Sequence, residues 1–583
     1  MTTKGATNAG LEASAVGRDV GQVLVEALIR AGVDHIFFTS GTELAFVQEA
    51  LAKAQVEGKP APRLILMTHE YPCLNAALGY AAVTGRPAVT TAHVDVGTQH
   101  HGCALHTAWH SGLPVLMMAG APATSAAGRT AGSRDAPHFW VQQTFDQNGI
   151  VRAYTKWDHR LEYHDNPGLI VSRALQVACA EPKGPVYLSL PREIVYLPAE
   201  DQPFPSLAEL SVPTPAAPDP DGIRVIAQKL VEAENPLLVV GSGRDPRTVA
   251  ALVELAELIA LPVVQCAWHS YMSFPYEHPL FQGKRTVADG DVVVALQCDV
   301  PWVPGIDQPR EDAFVATIDS DPVKHKIPTY EFTADLRVTS DAFAAIDALT
   351  REVRSLLSGQ DRARFKTRHA LWAERSAERR KQLESRAVAK SKDTPIAPEW
   401  VAYQLAMLMD DDTVVIDDTT HDRIFPYLSI KRPGRYFHNP GSAGGWSPGA
   451  ALGAKLAAPE RDVVAVSGDG FYLYGSPAAA LWSARRSGAP FLMVVFQNRS
   501  YTTGTVAVAR HYPEGFAAAS GFEGGYLEPA VDFAKEAEAV GSYGETVVDP
   551  AEVGPALRRG LAQVRAGIPA VIAVRTPRLI AND

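Results

Sequence analysis

Two hydrophobic patterns alternate along the chain. Val20–Gly32 (VGQVLVEALIRAG) spaces its apolar residues as one face of a helix and stops at a glycine, and VDHIFFTSG then runs apolar residues together into a turn. The first pattern predicts a helix, the second a buried strand. The succession continues with strand-like runs at Arg63–Thr68, Pro87–His93 and Leu113–Ala119 and a helix-like run at Leu74–Val83. Continuous rather than alternating apolar strands are covered on both faces, as in parallel sheets. Six prolines and few periodic apolar residues between Glu200 and Asp221 predict a linker. Beyond it, helices at Ile223–Ala233 and Thr248–Ile259 and strands at Pro236–Val240, Val292–Leu296 and Phe314–Ile318 form a second unit. Arg351–Lys392 is a charged, helix-prone segment expected to wrap between units with its charges on a solvated face. A third unit has a helix from Pro395 to Met409, strands at Thr413–Ile416, Val463–Ser467 and Phe491–Phe496, and a closing stretch Val531–Thr576. The pattern predicts three α/β domains, at 18–195, 218–350 and 395–583, each a mostly parallel sheet flanked by helices.

The ends of these runs carry the chemistry. Val463–Ser467 stops at Gly468-Asp469-Gly470, where two glycines are expected to let the backbone turn sharply and approach a ligand. Asp469 offers a carboxylate, and Asn498, following Phe491–Phe496, an amide oxygen. With a backbone carbonyl these are hard oxygen donors suited to Mg²⁺, an ion commonly completed by phosphates, so a diphosphate ligand is expected. Glu70 also follows a strand, at the edge where open α/β sheets place ligands. Its position equally fits a helix-initiating Glu stabilised by the helix dipole. The segment His93–Pro114 holds five histidines in 22 residues. His106 and His110, four apart, have zinc-like spacing, yet no acidic third ligand stands at a usual distance. Gly241-Ser242-Gly243-Arg244 between a strand and a helix is half of a dinucleotide fingerprint, without the full glycine pattern or a downstream ribose-binding acid.

Composition removes several classes of function. The 583 residues carry a net charge of -11, and no Lys/Arg-rich patch interleaves with aromatics, so nucleic acid is not an expected partner. No apolar run approaches the roughly 20 residues needed to cross a bilayer. Residues Met1–Ser14 are small and polar, so no signal peptide and a cytoplasmic location are expected. Five cysteines without CxxC spacing read as reduced core residues.

Several of these features together resemble a known family. They are the Gly-Asp-Gly after a strand, the second strand ending in Asn498-Arg499-Ser500-Tyr501, the His69-Glu70 strand end, and the closure Glu181-Pro182-Lys183-Gly184-Pro185-Val186-Tyr187-Leu188. They resemble the thiamine diphosphate (ThDP) enzymes of the decarboxylase and acetolactate synthase superfamily, over about residues 18–580. His93 with Gly97, Ala104-Leu105, Ala108-Trp109 and Ser111 looks particularly like benzoylformate decarboxylase. The resemblance implies the three-domain ThDP-enzyme fold, with pyrimidine-binding, central and diphosphate-binding domains. It implies that Asp469, Asn498 and the Ser500 carbonyl hold Mg²⁺ and through it the cofactor, with Gly468 and Gly470 in the same turn. Thr419, Thr420 and His421 would contact the diphosphate. Gly445 and Trp446 stand where relatives wedge the cofactor into its bent shape. Glu70 would hydrogen-bond the aminopyrimidine, favouring the imino form that removes the thiazolium proton. His93, His100 and His101 would line the substrate pocket with Gly97, and His278 would reach it from the central domain. FAD or ADP, bound there in some relatives, is not expected. Two departures are a longer spacing from Gly-Asp-Gly to Asn498 and Gln497 in place of an Asn.

The implied activity is carbon–carbon cleavage or ligation on a 2-oxo acid, the partner a small carbonyl compound, and the assembly a homodimer or homotetramer with sites at the subunit interface. A 2-hydroxyacyl-CoA lyase, an acetolactate synthase-like synthase, a dinucleotide-dependent oxidoreductase and a non-catalytic ThDP-binding protein are the alternatives. Gly-rich residues from Asn498 to Tyr526 predict a mobile loop over the site.

Overall fold

The apolar runs become strands in a computed structural model that describes residues 18–578 apart from Ser242, Arg244, Gln360, His421 and Asp422. The first sheet holds β1 (His35–Phe38), β2 (Arg63–Leu66), β3 (Ala88–Ala92), β4 (Val115–Ala121), β5 (Trp157–Arg160) and β6 (Pro185–Pro191), in the order β2-β1-β3-β4-β6-β5. The second holds β7 (Pro236–Val240), β8 (Val263–Gln265), β9 (Val292–Leu296), β10 (Phe314–Asp319) and β11 (Leu336–Thr339), in the order β11-β10-β9-β7-β8. The third holds β12 (Val414–Asp418), β13 (Tyr436–His438), β14 (Val463–Gly468), β15 (Leu492–Gln497), β16 (Tyr543–Val547) and β17 (Ala570–Arg575), in the order β13-β12-β14-β15-β17-β16. Every strand pair within these sheets is parallel. Numbered from their own first strands, the first and third sheets share one topology, 2-1-3-4-6-5. β3, β4, β6, β7, β9 and β15 are buried along their whole length, as continuous apolar runs require.

The first and third sheets are joined by two helices, Glu70–Thr84 and Ser447–Ala457, whose backbones nearly touch. A Cβ added at Gly449 would meet Pro72 O at 2.5 Å, one at Gly453 would meet Ala76 O at 1.9 Å, and one at Gly79 would meet Ala450 O at 2.1 Å. The first two of these contacts advance together along both helices, so the helices run parallel and bring their N-termini to the same end. Tyr71 Oη there donates to Gly444 O at 2.7 Å.

The 29-residue helix Asp361–Ala389 crosses from the second sheet towards the third. It buries Phe365 and Trp372 in the core that also holds strands of both sheets. Its charge run is not merely solvated, as the sequence suggests. Arg364 and Arg368 donate to Val231 O and Ala233 O, capping the end of helix Pro220–Glu232, and burial lowers the Arg368 pKa to about 10. The expected linker contains one helical turn, Leu207–Leu210, closed by a Ser206/Glu209 capping box. The stretch expected as a loop carries two helices, Thr502–His511 and Phe516–Ala519, and Tyr501 N donates to Gly525 O at 2.9 Å. Alanines in this stretch favour helix over open loop. Of the cysteines, all of them free thiols, Cys73, Cys266 and Cys298 are buried, whereas Cys103 is exposed and so departs from the expected core reading. Among the described residues no helix is long and apolar enough to cross a membrane.

Candidate functional site

At the end of β14 the glycines act differently from expectation. Gly468 is extended, with φ -79°, and serves as N-cap of helix Asp469–Tyr474. Neither it nor Gly470 adopts positive φ. What Gly468 contributes is space, since a Cβ there meets nothing within 4 Å. Asp469 is 3% exposed; its Oδ1 accepts from Gly470 N at 2.9 Å and its Oδ2 from Arg499 N at 2.5 Å. Burial raises its pKa to about 6 against these amide bonds and the distant pull of Arg423. β15 delivers Asn498, whose Oδ1 accepts from Ser500 N at 2.9 Å while Nδ2 donates to Thr502 Oγ1 at 2.8 Å. Arg499, with φ +56°, turns the chain between them. The three residues expected to hold Mg²⁺ are thus gathered in one place. A buried carboxylate to which, among the described residues, no cationic side chain is bonded, beside amide and carbonyl oxygens, is a donor set that fits such an ion.

Asp417 and Asp418, which end β12 beside this cluster, do not face an anion. Asp417 accepts from Tyr436 Oη at 2.8 Å and from Thr419 Oγ1 at 2.7 Å. Asp418 accepts from Asn439 Nδ2 at 2.8 Å, Gly445 N at 2.9 Å and Ser447 N at 3.3 Å, so it caps helix Ser447–Ala457. Thr419 is buried on Asp417, Thr420 is partly exposed, and His421 lies outside the described residues. Trp446 stands at the start of helix Ser447–Ala457. It is 1% exposed, with Nε1 donating to Asp417 O at 3.3 Å, and so belongs to the core between the sheets. Gly445 needs its glycine, for φ is +99° and a Cβ would lie 2.5 Å from Gly475 N.

Glu70 opens helix Glu70–Thr84 and is 8% exposed, so both readings of its position hold: it is a first-turn acid and it stands at a strand end. Gly97 makes room for it, since a Cβ there would lie 2.7 Å from Glu70 Oε1 and 3.3 Å from His93 Cβ. His100 Nδ1 lies 3.3 Å from Glu70 Oε2, and its ring stacks on His69 at 5.0 Å. His101 is fully buried behind Glu70, its Nδ1 3.4 Å from Glu70 O. Burial lowers its pKa to about 4, so it is a neutral core imidazole and not a wall of an open pocket. His106 and His110 lie with ring centres 4.6 Å apart, His106 against Tyr154. His278 does not join the cluster. Its Nε2 pairs with Glu257 at 3.1 Å and its ring packs on Phe274, both within the second unit. The second unit instead reaches the third sheet with Trp268, which donates to Pro440 O at 3.2 Å, and with buried His269, 3.3 Å from Tyr436 Oη. Sequence reasoning missed these residues and Glu43, which contacts His93. A lone acid in the otherwise apolar strand-end stretch GTELAF was the available signal for Glu43.

Two sheets of one topology, each with a polar cluster where strands give way to helices, and the second sheet's unit bridging them, define a multidomain α/β protein. Family models for the N-terminal TPP-binding, central and C-terminal TPP-binding domains of thiamine pyrophosphate enzymes match residues 18–150, 223–349 and 419–574. The chain belongs to that family of ThDP-dependent enzymes. It is 27% identical to benzoylformate decarboxylase of Pseudomonas aeruginosa over 82% of this chain and 85% of that protein. It is also 27% identical to a probable acetolactate synthase of Mycobacterium bovis, over 96% of each chain. The fold matches a ThDP-dependent 4-hydroxybenzoylformate decarboxylase of Rhodococcus jostii with TM-score 0.77 and 23% identity, over 96% of this chain and 99% of that one.

Proposed function

We propose that the protein is a Mg²⁺-dependent carbon–carbon lyase acting on a 2-oxo acid, releasing CO₂ and an aldehyde, with acyloin formation as a secondary outcome. The observation that carries the reading is the Glu70 cluster: a buried carboxyl seated against Gly97, with His93 and His100 beside it. Bound ThDP supplies a nucleophilic carbon that adds to a carbonyl and takes up the electron pair of the adjacent broken bond. Glu70 would face the pyrimidine ring of the bound cofactor, its reach fixed by the first helical turn. Asp469, Asn498 and the Ser500 carbonyl hold the metal, and Gly468 leaves room for phosphate oxygens. His93 and His100 give and take protons near the reacting carbon. The pyrimidine-binding, central and diphosphate-binding domains are assigned to 18–195, 218–350 and 395–583.

Among the described residues no hydrogen bond or ion pair joins Glu70, His93 or His100 to Asp469 or Asn498. The reading includes a site completed across a two-fold axis by a second chain. A second reading, an acetolactate synthase-like carboligase, is favoured by the longer match to that relative. The test is incubation of the ThDP- and Mg²⁺-loaded protein with a panel of aromatic and aliphatic 2-oxo acids, following CO₂, aldehyde and acyloin. CO₂ with aldehyde is the expected result, acyloin as main product would favour the second reading, and a loaded enzyme that consumes none of the panel sinks both.

A further inference from the structure

We propose that Glu43 is the positioning residue of His93: it holds the Nδ1 proton, fixes the tautomer and leaves Nε2 to exchange a proton with substrate. The inference rests on the reading above, in which His93 faces the substrate.

Glu43 stands in the turn Thr42–Leu44, directly after β1, and is fully buried. An ionised side chain in such a place needs a partner. Thr42 Oγ1 donates to Oε1 at 2.8 Å, and Oε2 lies 2.9 Å from His93 Nδ1. That approach falls outside hydrogen-bond directionality, and neither atom has another hydrogen-bond partner among the described residues. Each therefore depends on the other for compensation. The surroundings hold the pair in register: a Cβ at Gly41 would lie 2.5 Å from His93 Nδ1, and one at Gly120 would lie 2.4 Å from Glu43 Cβ. Both glycines make room for these two side chains and for little else.

The other ring nitrogen has a different neighbour. Gln142 Nε2 lies 3.1 Å from His93 Nε2, while Gln142 Oε1 is buried without a partner. The amide donates to a bare Nε2 as it stands, and after a half-turn its oxygen would accept from a protonated one. Gln142 thus suits both states of the ring, whereas Glu43 favours a proton on Nδ1 in either. This is the division of labour expected of a histidine that exchanges protons through one nitrogen and is oriented through the other. Gly97 separates His93 from Glu70, so the ring sits beside the proposed catalytic carboxyl. The charged groups facing it are Glu43, Glu70 from helix Glu70–Thr84 and Asp95 from helix Val94–His100. Bonding to Glu43 is the largest influence and raises the His93 pKa, burial opposes it, and the two other acids add to the rise.

Deuterium exchange at the imidazole C2 position, read by peptide mass spectrometry, titrates His93 in the full chain without cofactor or substrate. Glu43→Gln should lower the His93 pKa by about one unit or more. In the loaded enzyme the matching limb of the kcat/KM pH profile should shift by the same amount, with turnover reduced about tenfold or more. Glu43→Asp, which keeps the charge but shortens its reach, should fall between the two and serves if the Gln variant does not fold. An unchanged His93 pKa overturns the proposal. So does a Glu43→Gln penalty that persists undiminished in a His93→Gln background, because the glutamate would then be acting on the fold alone. The exchange arm needs no turnover, so a protein that consumed no 2-oxo acid would refute the functional reading separately.

Discussion

At the scale of single residues, the acids are sorted by what their backbone surroundings offer. Asp469 and Asp418 end neighbouring strands, and burial raises the pKa of both, to about 6 and about 7. Asp418 accepts from the Asn439 side chain and from two backbone amides at a helix N-terminus, whereas both bonds to Asp469 come from backbone amides within its own cluster. Asp469→Ala is accordingly expected to abolish Mg²⁺-dependent ThDP binding, and unchanged affinity by calorimetry would remove the metal assignment. For Asp418 the folded pKa lies above the ordinary 3.8, so its protonated form favours folding. That stabilisation is complete below the ordinary value and is lost as pH rises through about 7, at no more than about 1.4 kcal/mol per unit. Asp418→Asn should flatten the fall in thermal midpoint between about pH 4 and 7 relative to wild type, and an equal slope would show that another group sets it. Glu70→Gln should keep the fold and much of the ThDP affinity while slowing exchange of the thiazolium proton strongly; exchange at the wild-type rate would exclude Glu70 as activator.

At the scale of elements, the helix pair Glu70–Thr84 and Ser447–Ala457 decides where both clusters sit, because each helix begins at a polar strand end. Its close packing depends on absent side chains. Gly453→Val would push branched carbons against Ala76 O, where a Cβ alone lies at 1.9 Å. Overpacking of this kind costs roughly 1–3 kcal/mol and should appear as a lower thermal midpoint. Gly468→Ala, at a position with open space, should leave that midpoint unchanged yet weaken ThDP binding. Loss of the midpoint in the second variant would contradict the idea that Gly468 reserves room for a ligand.

At the scale of the whole molecule, the two clusters belong to different sheets and, among the described residues, share no hydrogen bond or ion pair. If the site is completed by a partner, chains carrying Glu70→Gln mixed with chains carrying Asp469→Ala should form heterodimers with one doubly damaged and one intact site. About half of randomly paired dimers are mixed, so activity should recover to roughly a quarter of wild type. Exchange confirmed by native mass spectrometry without any recovery would place the site within one chain.

The linear chain determined a good part of this. Continuous apolar runs specified most strands to within about two residues, because burial on both faces leaves no polar positions to blur the period. The strand-end positions of Gly-Asp-Gly, Asn498 and Glu70 were legible because strand ends are local features, read from residues next to one another. What depended on distance in sequence was not legible. The partners of Asp417 and Asp418 are Tyr436, Asn439 and Ser447, and that of Trp446 is a carbonyl 29 residues away. His278 and His101 looked like site residues by type and spacing, yet Glu257 drew one aside and packing enclosed the other. Glu43 went unnoticed because its meaning lies in His93, 50 residues on. Composition and periodicity set which elements form, but the partner of a buried polar group is chosen by which strand ends the tertiary fold brings together, and that choice separates a ligand-binding side chain from a structural one.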